Sequence, residues 1–212
     1  MKSSTTKLIL LFLLTISFSC EEISQKAPSN EVDKNTSLKG SYHFLEDTGT
    51  KVFLPNGFER YSLTKYQRLL DSLTTKKEYK VETERLNSLS KMDGSLYIYY
   101  DSENASTYTI NTMPYYAFTR NDASQLLGMI QANNERVKKN SDAKFERITA
   151  KYGGTDKQQL FKAIYKVNGK SMKREVFNNT YIISSNEKTV FIQLSTASET
   201  DFDPYIEKMV IK

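Results

Sequence analysis

The 212-residue chain has a single histidine and a single cysteine, so little of its chemistry can rest on imidazole or thiol. A closed zinc site draws several ligands from those two types, and the chain cannot supply them. A Ser/His/Asp arrangement would have to use His43, which is flanked by Tyr42 and Phe44 in a predicted strand where a packing role is expected. No serine sits in a Gly-x-Ser-x-Gly elbow. Gly153-Gly154-Thr155 lacks the following lysine and hydroxyl residue of a phosphate loop. Long apolar runs are also missing. The longest, Leu8 to Phe18, is roughly 11 residues, against about 20 for a membrane-spanning helix. The sequence therefore predicts no metal, no cofactor and no catalytic residue.

That short run nevertheless has a setting. Lys2 and Lys7 precede it, and Ser19-Cys20-Glu21-Glu22 follows it, the layout of a secretory signal. A lone cysteine after a small residue at the end of such a run resembles a bacterial lipobox, although Ser17 stands where leucine is usual. The resemblance implies diacylation of the Cys20 thiol, cleavage before it, and acylation of the new amino terminus. The Lys/Asn/Ser-rich composition and the Glu21-Glu22 pair resemble lipoproteins of Bacteroidota. The expected location is the cell envelope, lipid-anchored, in the outer membrane on its periplasmic or surface face. Lipidation also accounts for an unpaired thiol in an oxidising compartment.

Removing residues 1–19 takes away Lys2 and Lys7, which lowers the basic count from 30 to 28 against 25 acids, a net charge of +3. The excess is modest, and an exported protein rarely meets nucleic acid, so no nucleic-acid partner is expected. Residues 20–40 are polar and poor in large apolar side chains, which predicts a flexible tether spanning on the order of 25 Å. Residues 41–212 are then read as a single α+β domain.

Tyr42, Phe44 and Val52-Phe53-Leu54 flank Asp47-Thr48-Gly49, which predicts a hairpin. Ser62 is a good N-cap for Leu63, Tyr66, Leu69, Leu70 and Leu73 at helical spacing. Tyr79, Thr83, Leu86 and Leu89 mark a second helix, stopped at Asp93-Gly94. Leu96 to Tyr100 is apolar on both alternating faces and reads as a central strand. Tyr108, Ile110 and Thr112 alternate with Thr107, Thr109 and Asn111 in a further strand ended by Pro114. Leu126, Leu127, Ile130 and Val137 predict a helix capped near Asn121 or Asp122. Strands follow at Phe145–Tyr152, Leu160–Val167, 171–184 and Thr189–Thr196, with Asn168-Gly169 as a type I′ turn. Phe202, Tyr205, Ile206, Met209 and Val210 predict a short terminal helix. The order is that of an α+β fold, an antiparallel sheet with flanking helices.

Val52-Phe53-Leu54-Pro55-Asn56-Gly57-Phe58 resembles the entry strand of the Mog1/PsbP-like fold. Asp201-Phe202-Asp203-Pro204-Tyr205-Ile206-Glu207-Lys208-Met209 resembles its closing helix. The likeness covers roughly Ser41 to Lys212 and implies a sandwich used by photosystem accessory subunits, a nuclear-transport factor and envelope lipoproteins. A fold selects no function, but these members point to noncatalytic binding or assembly.

Two surfaces are candidate binding sites. Tyr97, Tyr99, Tyr115 and Tyr116, with Tyr100 and Tyr108 nearby, offer apolar area with polar tips suited to glycan or protein contact. Lys162 and Lys166 share strand parity in a lysine-rich stretch and suit an anionic envelope polymer; in both sets an ordinary core or solvated role is the competing reading. The expectation is an envelope protein with a noncatalytic binding or assembly domain. The alternative is a carboxylate-dependent enzyme acting on envelope or surface glycans. For that alternative Glu82/Glu84 and Asp201/Asp203 read as solvated faces. Asp101-Ser102-Glu103-Asn104 and Asp201–Asp203 match no EF-hand and are expected in turn and cap roles.

Overall fold

Ser62 starts the first helix as its residue type requires, its hydroxyl accepting from the Lys65 N–H at 3.2 Å. The computed structural model describes residues Leu38–Lys212 apart from Ser171 and Lys173; the predicted signal sequence, Cys20 and the predicted tether as far as Ser37 lie outside the described residues. The elements are strands β1 (Gly40–Leu45), β2 (Thr50–Pro55) and β3 (Phe58–Tyr61), helices α1 (Leu63–Leu73) and α2 (Lys76–Ser90), and strands β4 (Leu96–Asp101) and β5 (Ser106–Pro114). Helix α3 (Arg120–Asn140), strands β6 (Lys144–Thr155), β7 (Gln158–Asn168), β8 (Val176–Ser185) and β9 (Lys188–Thr196), and helix α4 (Asp203–Glu207) complete them.

Seven strands form one antiparallel sheet in the order β3-β4-β5-β9-β8-β7-β6, and β1-β2 form a separate hairpin. Strand parity divides the core between the two sheet faces. Tyr97, Tyr99, Tyr108, Ile110, Tyr181, Ile183, Ile192 and Leu194 meet Leu45, Val52 and Leu54 of the hairpin and Phe202 and Ile206 at α4. On the opposite face Ile98 and Tyr100 pack against Tyr66, Leu70 and Leu86 of α1 and α2. Phe161, Ala163 and Tyr165 pack against Phe118, Ala123 and the partly buried Leu126, Leu127 and Ile130 at α3. Burying a side chain of this size stabilises the fold by roughly 1.5–3 kcal/mol.

The helix-side face of β5 is polar, yet Thr109 and Asn111 are buried. Strand and helix partners satisfy these groups, Thr109 donating to the Gln193 carbonyl at 3.2 Å. Asn111 Nδ2 donates to the Leu89 carbonyl at 3.0 Å, and Arg85 of α2 donates to Gln193 Oε1 at 2.6 Å while pairing with Glu82. An alternating strand thus lies buried on both sides because its polar face is hydrogen-bonded rather than wet.

Several expectations need correction. Strand β4 is covered on both faces, as its composition predicts, but it lies second from the sheet edge, beside β3. Strand β3, Phe58–Tyr61, has no counterpart among the predicted elements, because four residues are too few to show a period. Asn168-Gly169 does not form a tight turn. Strand β7 ends at Asn168, β8 begins at Val176, and neither Asn168 nor Gly169 has a positive φ. The intervening Lys170, Arg174 and Glu175 carry nothing for a strand to bury. The positive φ pair of a type I′ turn occurs instead at Asn186 (49°) and Glu187 (57°), joining Ser185 directly to Lys188. Helix α3 is capped by Thr119, with Asp122 as the reciprocal member of a capping box. Strand β6 runs through Gly153-Gly154 to Thr155. A Cβ on Gly154 would come 2.1 Å from the Gln158 carbonyl oxygen, so the turn needs glycine there. Helix α4 stops at Glu207, and Val210 exchanges two 2.9 Å backbone hydrogen bonds with Lys51 of β2.

Candidate binding surface

Hairpin parity sends His43, Leu45, Val52 and Leu54 toward the sheet, so Tyr42 and Phe44 point away from it. Tyr42 and Phe44 are 54% and 51% exposed, and Val210 beside them is 40% exposed. Together with His43 and Lys51 they line a shallow depression. Phe53 shares the outward parity but is covered, its ring 4.9 Å from Tyr42 and stacked 5.9 Å from Tyr205, with Lys208 Nζ 4.6 Å above it. These contacts set Tyr42, Phe53 and Tyr205 side by side on the outer hairpin face.

The second exposed aromatic feature is the Tyr115-Tyr116 segment between β5 and α3, whose two tyrosines are 43% and 50% exposed. Its backbone is fixed from below. The Tyr116 N–H donates to Thr189 Oγ1 at 2.8 Å, and the Ser184 hydroxyl donates to the Tyr116 carbonyl at 2.6 Å. Ser184 and Thr189 are themselves buried and 2.8 Å apart. The adjacent Lys188 donates from Nζ to the carbonyls of Thr48 and Lys212, tying the hairpin turn and the terminal residues to the same frame.

The hairpin turn is closed by a carboxylate. Asp47 accepts from the Tyr97 hydroxyl at 2.6 Å and from the Thr112 hydroxyl, and its own N–H donates back to the Tyr97 oxygen at 3.3 Å. Burial opposes ionisation of Asp47, but the donors Thr112, Tyr97 and Ser95 outweigh it and hold the carboxyl below its ordinary value of 3.8.

Of the residues singled out from the sequence, Tyr97 and Tyr99 are 5% and 0% exposed and belong to the core, not to a surface. Their parity faces the hairpin, whose presence over the sheet no local pattern announces. Tyr115 and Tyr116 are exposed and adjacent. Lys162 lies under α4, its Nζ 2.5 Å from Asp203 Oδ2 and 5.8 Å from the centre of the Tyr181 ring. Lys166 pairs with Glu175 at 2.9 Å. Both lysines share a face, as their spacing predicts, but each is engaged by an acid. His43 sits edge-on to Tyr99, with ring centroids 4.9 Å apart, and Nε2 is 3.2 Å from the Ser41 hydroxyl. Burial and then the charge of Arg60 hold its imidazole below the ordinary 6.5. Asp101 accepts from the N–H groups of Glu103 and Asn104 and from the Asn104 amide, and Asp201 accepts from the Asp203 N–H. Both acids are occupied by their own turns. The sequence reading missed the Tyr42/Phe44 face; the signal available was that the hairpin has two apolar parities and can bury only one.

No protein-family model matches the chain, and no curated protein sequence does. Among solved structures, the chain is similar to cyanobacterial PsbP (CyanoP) from Synechocystis, with 13% identity, a TM-score of 0.51, and coverage of 88% of this chain and all of that one. It also resembles the Ran-binding protein Mog1p of Saccharomyces cerevisiae, at 10% identity and a TM-score of 0.46, covering 82% of this chain and 96% of that one. With the sheet order and two-faced core described above, the likeness to CyanoP establishes a PsbP-like α+β fold.

Proposed function

We propose that this chain is a lipid-anchored protein of the cell envelope, held through Cys20, whose domain binds a protein partner through Tyr115 and Tyr116 and performs no chemistry. The observation that carries the binding reading is the construction of that segment: two exposed rings on a backbone pinned to buried Ser184 and Thr189. Preorganised tyrosines offer large contact area at small entropic cost. The pairing of Lys162 with Asp203 and of Lys166 with Glu175 favours a protein partner over an anionic polymer. The anchor reading rests on the sequence from Lys2 to Glu22.

Two measurements test this. Cys20→Ala should move the chain from the membrane to the soluble fraction of cells; unchanged fractionation overturns the anchor. A photo-crosslinking amino acid at position 116 should trap one discrete protein, whereas the same group at Met129, which is 69% exposed on α3, should not. Identical products from both positions overturn the Tyr115-Tyr116 reading.

A further inference from the structure

The outer hairpin face is absorbed neither by the core nor by the proposed partner site. Tyr42, Phe44 and Val210 form an exposed apolar patch on it. Lysines stand on the segments beside the patch. Lys51 is the register partner of Phe44 and is bridged to Val210. Lys208 lies over Phe53, and Lys39 directly precedes β1, its carbonyl accepting from the Tyr205 hydroxyl at 3.3 Å. Acids on these segments are as many as the lysines, but three of the four are engaged: Glu46 pairs with Arg60, Asp47 serves Tyr97 and Thr112, and Asp203 holds Lys162, leaving Glu207.

We propose that this face is a membrane-docking surface, Tyr42, Phe44 and Val210 entering the interfacial region of an anionic bilayer while Lys39, Lys51 and Lys208 meet its headgroups. Aromatic rings with polar tips settle at the headgroup level, and lysines near the surface are attracted by anionic lipid. The inference rests on anchorage at Cys20 for its role in the cell. Cys20 stands 20 residues before Gly40, where β1, the strand that carries the patch, begins. Short tethers give effective concentrations in the millimolar range, so even weak docking is populated. The anchored domain is thereby laid on the membrane by its hairpin, rather than left to reorient freely. A second copy fits this face less well, because two-fold pairing would set the same lysines against each other across a small apolar patch.

The test uses residues 20–212 carrying Cys20→Ala, so that no acyl chain contributes, sedimented with vesicles of phosphatidylcholine alone or mixed with phosphatidylglycerol. Partition should be greater on the anionic vesicles and fall as salt is raised. Tyr42→Ser with Phe44→Ser should lower it about tenfold, the order expected for losing two half-exposed rings. Lys51→Glu with Lys208→Glu should remove the preference for phosphatidylglycerol, and Met129→Ser should change nothing. Circular dichroism checks that each variant is folded. Absence of binding, or binding indifferent to both double variants, overturns the proposal. So does sedimentation as a dimer that Phe44→Ser dissociates, which would assign the face to a second copy. Because this chain is unacylated, failure here leaves the Cys20 anchor standing, and failure of the Cys20→Ala fractionation leaves the vesicle result standing.

Discussion

Replacing Asp47 by alanine removes the carboxylate that closes the β1–β2 turn and joins it to two strands of the sheet. Two hydrogen bonds to a charged acceptor are lost, from the Tyr97 hydroxyl at 2.6 Å and from Thr112. Bonds of this kind contribute about 1.5–3 kcal/mol each, and because Asp47 is itself exposed the lower end applies, about 3 kcal/mol for the pair. Neither donor is left wholly alone. Thr112 still receives the Ser95 N–H at 2.9 Å, and the Tyr97 oxygen still receives the N–H of residue 47. For a domain of this size, a loss of that order lowers Tm by about 6–12 °C. Tyr97→Phe removes one of the two bonds to the carboxylate, together with the acceptor of the Asp47 N–H, and should cost about 1.5 kcal/mol. Combined with Asp47→Ala it should cost less than the sum by a similar amount, because the shared bond cannot be lost twice. The chain has no tryptophan, so urea and thermal unfolding are followed by far-ultraviolet circular dichroism. The donors hold the Asp47 carboxyl below 3.8. Its stabilisation is therefore present above the ordinary carboxylate range and lost as pH falls through the folded value. Additive single and double variants, or a Tm change for Asp47→Ala below about 2 °C, would refute the reasoning.

The Lys162–Asp203 pair should respond asymmetrically. Asp203→Ala strands a cation whose side chain is only 11% exposed and should cost about 2–3 kcal/mol, whereas Lys162→Met keeps the packed stem and should cost about 1 kcal/mol or less; equal losses in urea unfolding would contradict this. His43 sets a second pH dependence. Its imidazole is held below 6.5 in the folded chain, so the unfolded chain takes up the proton first and stability falls as pH drops from about 6.5 through the folded value. The fall in Tm between neutral pH and pH 5 should be smaller in His43→Gln than in the parent, and an equal or larger fall would show that His43 is not the group responsible.

Much of the secondary structure is legible in the chain because it follows from periodicity. Leu63, Tyr66, Leu69, Leu70 and Leu73 can share one face only in a helix, and Leu96 to Tyr100 can bury both parities only in a covered strand. The Asn168-Gly169 dipeptide shows the limit of local reasoning. It permits a type I′ turn but does not require one, and the charged residues after it gave the following strand nothing to bury. The same limit applies to the candidate surfaces. Tyr97 and Tyr99 look like Tyr115 and Tyr116 in composition, and only the hairpin lying across the sheet makes the first pair core. Tyr42 and Phe44 look like core in composition, and only the direction in which the hairpin packs leaves them exposed.

The sequence by itself determined the helices and most strands, and it determined how little imidazole and thiol the chain can bring to any chemistry. Those are properties of residue type and spacing, and no tertiary contact alters them. The tertiary structure decided which aromatics face solvent and which lysines are engaged. Asp203 reaches Lys162 from 41 residues away, and Asp47 reaches Tyr97 from 50. Exposure and charge pairing are set by elements distant in the chain, so they exist only once those elements have packed.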